Sequence, residues 1–340
     1  MTGQRMASEM RQQPEVLEAL AGRRGEIADQ VRAARPERLA ATVLVARGSS
    51  DHAAIFGRYL LEPATRRPVA LAAPSLITVY DADLDYRDVL VIAISQSGRT
   101  PEIATVLGRL RAAGGSTIAV TNPGDGPVAD TAAVSIALGA GIEQAVPATK
   151  TVTAQALAFA IIAEALGPVP FGERDWARLP GAVAEVLDDP SPAEAVAEAI
   201  GDAPGLLTTG RTFGMPVALE AALKLKETSE LMAEGYSSAD LRHGPTVVVS
   251  AGFPILAFAT AGAAGDDVRA LAEDLGARGA AVHVVGDRPG DDVPIPGGLS
   301  EPFAAIVGIV RAQQIALSLA RHRGLEPDAP RGLSKVTPTT

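Results

Sequence analysis

Seven apolar, β-branched runs in this chain stop abruptly at small or polar residues. That repeated stop constrains the fold more than any other feature. The first half carries ATVLVARGSS (41–50), VLVIAISQSG (89–98), STIAVTNPG (116–124) and the shorter AAVSIAL (132–138). The second half carries GLLTTGRTFG (205–214), PILAFATAGA (254–263) and AAVHVVGD (280–287). Unbroken apolar runs of this length belong in a sheet buried on both faces. Between them lie stretches with helical spacing, such as PEIATVLGRLRAAGG with its closing Gly pair and the largely apolar TKTVTAQALAFAIIAEAL (149–166). Strands alternating with helices predict right-handed βαβ units, hence an α/β fold of parallel sheets sandwiched by helices.

The two halves keep one rhythm. Placing Gly48 on Gly210, Ser95 on Thr260 and Thr121 on Gly286 gives offsets of 162, 165 and 165 residues, which predicts two tandem copies of one domain. The Pro- and Gly-rich GPVPFGERDWARLPG (167–181) is the expected join. The expected organisation is a helical segment over 1–35, a first domain over 36–170, a second over 182–326 and a tail over 327–340. Within the helical segment, residues 8–35 read as two short helices broken near Pro14. EPFAAIVGIVRAQQIALSLARHRG reads as a buried amphipathic helix ending at Gly324.

Composition removes several function classes. The chain has no cysteine, which excludes disulfides, cysteine-ligated metal centres and catalysis by its own thiol. A formal net charge of −10 argues against general nucleic-acid binding, which needs a basic surface. No uninterrupted apolar run reaches bilayer-spanning length, and MTGQRMASEMRQQPEVLEAL lacks a signal-type apolar core, so cytoplasmic residence is expected. Of 30 basic residues only four are lysine: Lys150, Lys224, Lys226 and Lys335. Either compositional bias has left four survivors, or some sites need an amine that can attack a carbonyl, as guanidinium cannot.

Ligands of open parallel sheets bind beyond the carboxyl ends of the strands. Two strands of the first half end there in Gly48-Ser49-Ser50 and Ser95-Gln96-Ser97-Gly98-Arg99-Thr100. Hydroxyls, glycine-freed N–H groups and helix N-termini together suit a phosphate monoester. Helix capping is the plainer use of such residues, but two hydroxyl-rich loops on one half favour the ligand. No G-x-G-x-x-G follows the first strand, so this is no dinucleotide fingerprint.

In ALEAALKLKETSELMAEGYSSADLRHGP, helical spacing puts Glu220, Lys224, Glu227 and Glu234 on one face, with Ala218, Ala222, Leu225 and Met232 opposite. A solvated Glu–Lys face is the plain reading. Leu231 among these polar residues argues for burial, where two carboxylates beside an amine can hold a proton-transfer group near neutral pH. Of the four histidines, His243 lies in the loop signal Arg242-His243-Gly244-Pro245 directly after. His52 adjoins the first hydroxyl loop, His283 alternates within a strand pattern, and His322 ends a helix where it favours the dipole.

ARGSSDHAA, SQSGRTPE, the ATK at 148–150, LEAALKLKE, RHGP and LSKVT resemble, in order, the motifs of sugar isomerase (SIS) domain proteins. The closest likeness is to the isomerase half of glucosamine-6-phosphate synthase and to stand-alone isomerising glucosamine-6-phosphate deaminases. MASEMRQQP also resembles a short motif these proteins carry before their first domain. The resemblance covers nearly the whole chain. It implies two tandem flavodoxin-like domains, a homodimer with a shared site, a sugar-phosphate ligand and no metal or organic cofactor. By motif match, Gly48, Ser49, Ser50, Ser95, Gln96, Ser97, Thr100 and Val146 would hold phosphate and sugar hydroxyls. Glu227 would shuttle a proton between C1 and C2, and His243, contributed across the dimer, would open the ring. Lys335 would lie near the carbonyl carbon, with Lys224 and Glu220 as its partners in the site and Lys226 structural.

The chain also departs from the synthase. It has neither the length of a glutaminase domain nor any cysteine, so no ammonia release from glutamine by that route is expected. Arg99 replaces an acid, Asp240 replaces a Glu ahead of RHGP, and Arg47 replaces a cysteine; the first two changes look deaminase-like. The expected activity is therefore conversion of an amino-sugar 6-phosphate, such as glucosamine 6-phosphate, to a ketose phosphate plus ammonia. The rivals are deglycation of a fructosamine 6-phosphate, simple aldose–ketose isomerisation, and a sugar-phosphate-sensing regulator that does no chemistry.

Overall fold

Each apolar run becomes a strand. The structure, a computed structural model, describes residues 2–335; Val336 and Thr337 of LSKVT and the rest of the expected tail, 338–340, lie outside the described residues. The first sheet contains β1 (Ala41–Val45), β2 (Val69–Leu71), β3 (Val89–Ser95), β4 (Ser116–Thr121) and β5 (Val134–Ala137), all parallel, in the order β2-β1-β3-β4-β5. The second contains β6 (Gly205–Gly210), β7 (Met232–Ser237), β8 (Pro254–Ala259), β9 (Ala281–Gly286) and β10 (Val293–Pro294), again parallel, in the order β10-β9-β8-β6-β7. Read from its other edge, the second order is the first repeated. Both are the doubly wound order of flavodoxin-like domains, and the predicted tandem α/β fold is correct.

The chain divides into two compact units that it visits in turn. One holds residues 15–143, 150–170 and the tail residues 334 and 335; the other holds residues 2–14, 144–149 and 171–333. In the first unit β3 is sealed, with Leu90 to Ile94 at 0% exposure, which is why its sequence shows no polar alternation. Helices Ser49–Thr65 and Lys150–Leu166 pack against each other on one face of this sheet. They approach so closely that a Cβ on Gly57 would lie 2.3 Å from the Phe159 ring. On the other face Val91, Ala93, Ile103, Val106 and Leu107 share one core.

The second unit is organised by helix Glu301–His322, which is buried from Pro302 to Leu317 rather than amphipathic as expected. Helices Gly214–Ser229, Ser191–Ile200 and Glu173–Asp188 surround it, so no side of its middle faces water. It is long and apolar enough to cross a membrane by length and composition, but 94% of that window is buried inside the protein. Its one interior cation, Arg311, donates to the carbonyls of Val186, Asp189 and Pro294 and to Gln314 Oε1, serving backbone left open where helix Glu173–Asp188 ends. Burial pulls that guanidinium down to about 10.

The N-terminal segment forms three helices instead of two: Gln4–Arg11, Gln13–Gly22 and Arg24–Ala34. Pro14 is the second residue of its helix, where its missing N–H has no intrahelical partner to lose. A larger correction concerns ALEAALKLKETSELMAEGYSS. Its helix ends at Ser229, Glu230 takes the left-handed conformation (φ 51°), and Met232–Ser237 is β7. Glu234 and Met232 are therefore strand residues, not members of the helical faces assigned to them.

Candidate functional site

In the 2-1-3-4-5 order, connections from β1 and β3 leave in opposite directions and open a crevice at their carboxyl ends. After β1, Gly48 (φ 60°, ψ −135°) makes a turn that a Cβ would strain, and Ser49 and Ser50 begin helix Ser49–Thr65. After β3, the chain passes Gln96, Ser97 and Gly98 (φ 66°) before Thr100 and Pro101 begin helix Pro101–Ala112. The hydroxyls are not spent on capping. Gly48 caps the first helix, and Thr100 makes no side-chain capping bond to the second. Instead Ser95 Oγ lies 3.3 Å from Thr100 Oγ1 and accepts from Gly98 N at 3.2 Å, while Ser97 Oγ accepts from Arg99 N at 3.2 Å. These bonds curl the loop and leave Gln96, Ser97 and Thr100 partly exposed.

Arg47 ties the two loops together. Its Nε and Nη2 donate to the two carboxylate oxygens of Glu102, each at 2.9 Å. Glu102 is nearly sealed, at 7% side-chain exposure, while Arg47 is half-exposed beside Gly48. The hydrogen bond to Glu102 raises the guanidinium's pKa, so the fork is a fixed cation at the crevice.

Helix Lys150–Leu166 supports this crevice from behind. Buried Gln155 donates its amide to Ser50 Oγ at 2.9 Å. Near the same helix start, Glu143, with its carboxylate at 0% exposure, accepts from Thr151 N (3.2 Å), Thr151 Oγ1 (2.7 Å) and the Lys335 ammonium (2.7 Å). Lys150 is buried and donates to Ile142 O at 2.8 Å. One helix thus steadies a hydroxyl loop and the tail lysine.

The second constellation lies in the other unit. On helix Gly214–Ser229, Lys224 is fully buried, 3.5 Å from Glu220 and in direct contact with Glu227. Burial alone would lower the lysine's pKa, but attraction and hydrogen bonds from Glu220 and Glu227 together hold it above its ordinary value. Glu227 keeps 20% side-chain exposure against 1% for Glu220, so it is the one member of the trio that is partly open. The plain reading of a solvated face therefore fails for these three. It holds for Glu234, which is exposed and pairs at 3.9 Å with Lys226.

The remaining expected residues stand apart from these groups. His243 is exposed just beyond helix Ser238–Arg242, and no hydrogen bond or ion pair joins it to Glu220, Lys224 or Glu227 among the described residues. Val146 belongs to the unit of the second sheet and donates its N–H to Asp328 O at 3.1 Å. His283 lies in β9, where burial lowers its pKa, as suits a structural residue. Gln155, Glu143 and Glu102 were not anticipated. Only Gln155 had a signal, a large amide inside an otherwise apolar helix, since buried polar side chains are rarely idle.

The second sheet offers the same crevice but fills it with its own acids. Ala261 N, one offset from Gln96, donates to Asp287 Oδ2 at 2.9 Å. Arg269 lies 2.6 Å from Asp291 and 3.6 Å from Asp287. Carboxylates of the protein thus take up these donors in the second crevice.

Comparison with known proteins agrees with this fold. The SIS domain family profile matches residues 41–165 and 202–294. The glutamine–fructose-6-phosphate aminotransferase (isomerizing) of Halobacterium salinarum is 32% identical over 350 residues, covering 97% of this chain and 58% of that protein. Its counterpart from Streptomyces coelicolor is 32% identical over 317 residues, covering 86% and 51%. The chain thus spans a little over half the length of these curated relatives. Among solved structures, one from Silicibacter pomeroyi, described as a candidate phosphosugar isomerase, superposes with a TM-score of 0.84 at 32% identity over 96% of this chain and all of that one. The glucosamine-6-phosphate deaminase of Thermotoga maritima shares the fold, with a TM-score of 0.80 at 24% identity over 98% of this chain and 100% of that one.

Proposed function

The chain belongs to the SIS domain family, and from that premise we propose that it is an amino-sugar 6-phosphate isomerase and deaminase. Glucosamine 6-phosphate and water go in; fructose 6-phosphate and ammonia come out. Ser49, Ser50, Ser95, Gln96, Ser97 and Thr100 hold the phosphate and sugar hydroxyls, with Gly48 and Val146 lending backbone groups. His243, supplied by a second copy of the chain, opens the ring. Glu227 takes the proton from C2 of the open aldehyde form and returns it at C1 through an enolamine. The resulting C2 imine adds water and releases ammonia, leaving the ketone. Lys335 lies near the carbonyl carbon, as a charge stabiliser or through a transient Schiff base.

The observation that carries this reading is the buried Glu220–Lys224–Glu227 trio, of which only Glu227 stays partly open. A sugar-phosphate sensor needs hydroxyl loops but has no use for a charged lysine sealed between two carboxylates, which is costly to bury. The deaminase assignment over simple isomerisation rests on Arg99 and Asp240, the two deaminase-like departures from the synthase pattern. The test is Glu227→Gln, assayed with glucosamine 6-phosphate. Turnover is expected to fall by at least about 100-fold with binding retained. Full activity in that variant would remove Glu227 from the mechanism.

A further inference from the structure

Ser50 and Gln155 form a hydrogen bond whose polarity has a consequence for the ligand. A serine hydroxyl has one hydrogen to give and two lone pairs to receive with, whereas an amide NH₂ can only give. Gln155 Nε2 donates to Ser50 Oγ at 2.9 Å, so the bond consumes a lone pair and leaves the hydroxyl hydrogen. That amide is the hydroxyl's side-chain partner among the described residues. Ser50 lies in the first turn of helix Ser49–Thr65, directly after Gly48, at the carboxyl end of β1.

The setting makes this bond more than a filler of the core. Gln155 is 1% exposed, so its amide has no water to take the place of Ser50, which itself keeps 6% exposure. Around Gln155, residues 152, 154, 156, 157, 158 and 159 are all buried and apolar. An apolar side chain in its place, facing an alanine, would cost little stability, because a buried polar pair replaced on both sides is nearly neutral. The geometry is also rigid. Four residues on, Phe159 meets Gly57 on the same partner helix at a separation no other residue would allow, which fixes the reach of Gln155.

We infer that Gln155 is a positioning residue that turns Ser50 into an obligate hydrogen-bond donor toward the ligand's phosphate. This rests on the sugar-phosphate reading of the crevice. Without the amide, the hydroxyl is free to rotate and to turn its hydrogen toward local carbonyls. With it, the hydrogen is left for an anionic oxygen, the acceptor a phosphate monoester provides in abundance.

A double-mutant cycle on the full chain separates this from a structural role, using titration of glucosamine 6-phosphate. Gln155→Met keeps the volume of the side chain, and thermal unfolding verifies that each variant is folded. Gln155→Met is expected to weaken binding about tenfold when Ser50 is present. In the Ser50→Ala background the same change is expected to have almost no effect. Equal weakening in both backgrounds, or none in either, would overturn the inference and leave Gln155 a packing residue. If the unmodified chain fails to bind glucosamine 6-phosphate at all, the reading of the crevice falls first, and the inference with it.

Discussion

At the scale of single residues, the crevice depends on side chains that hold other side chains. Arg47 reaches across from the end of β1 to Glu102, so the two hydroxyl loops are fixed relative to each other by a charged fork rather than by backbone alone. Removing the arginine loosens the loops and strips a cation from the crevice of an acidic protein. Arg47→Ala is therefore expected to weaken glucosamine 6-phosphate binding about tenfold, with a part that shrinks at high salt because Arg47 is half-exposed. Isothermal titration at two ionic strengths checks this; unchanged affinity at both would detach the fork from ligand binding. Arg47 was visible in the sequence only as a departure from a family pattern. Glu102, 55 residues away, carried no mark of its own, since a buried partner is set by tertiary structure and not by spacing.

At the scale of elements, the strands with unbroken apolar runs were legible and the others were not. β3 is sealed on both faces and reads as Leu90 to Ile94 without a polar residue. β7 is an edge strand of its sheet, with Met232 67% exposed and Glu234 exposed, so MAEGYS offers neither a run nor an apolar alternation. Helical spacing therefore seemed to continue through it. β2 and β10, at three and two residues, are too short to leave a pattern. Helix Gly214–Ser229 was legible through its first four turns, and there the trio is built. Lys224 has its pKa raised above the ordinary 10.5 by Glu220 and Glu227. A base whose pKa rises on folding stabilises the protein fully below its unfolded value and loses that contribution as pH climbs through the folded one. Lys224→Met leaves two carboxylates buried without their cation and should cost about 3 kcal/mol near neutral pH. The difference from the unmodified chain should stay flat up to pH 10.5 and shrink above it. Urea unfolding from pH 7 to 11 measures it, and a difference that grows above pH 10.5 would contradict the ion-pair account.

At the scale of the whole molecule, one sheet topology is used twice for different ends. The first crevice presents partly exposed hydroxyls, whereas in the second Ala261 N donates to the protein's own Asp287. On the proposed function, that asymmetry predicts one sugar phosphate per chain. His243 is exposed, with no hydrogen bond or ion pair to the Glu227 trio among the described residues, and the proposed mechanism assigns it to the site of another copy of the chain. If sites are shared in this way, Glu227→Gln and His243→Asn, each inactive alone, should recover part of the activity when co-refolded, because mixed dimers contain one intact site. No recovery in a verified mixed dimer would place both residues in one chain's site or remove one from it. The most direct measurement is the stoichiometry of the reaction itself. Incubated with glucosamine 6-phosphate, the protein should release ammonia and fructose 6-phosphate in equal amounts, with no added metal or glutamine. Clear binding of glucosamine 6-phosphate without either product, or ketose phosphate formed with no ammonia, would contradict the account.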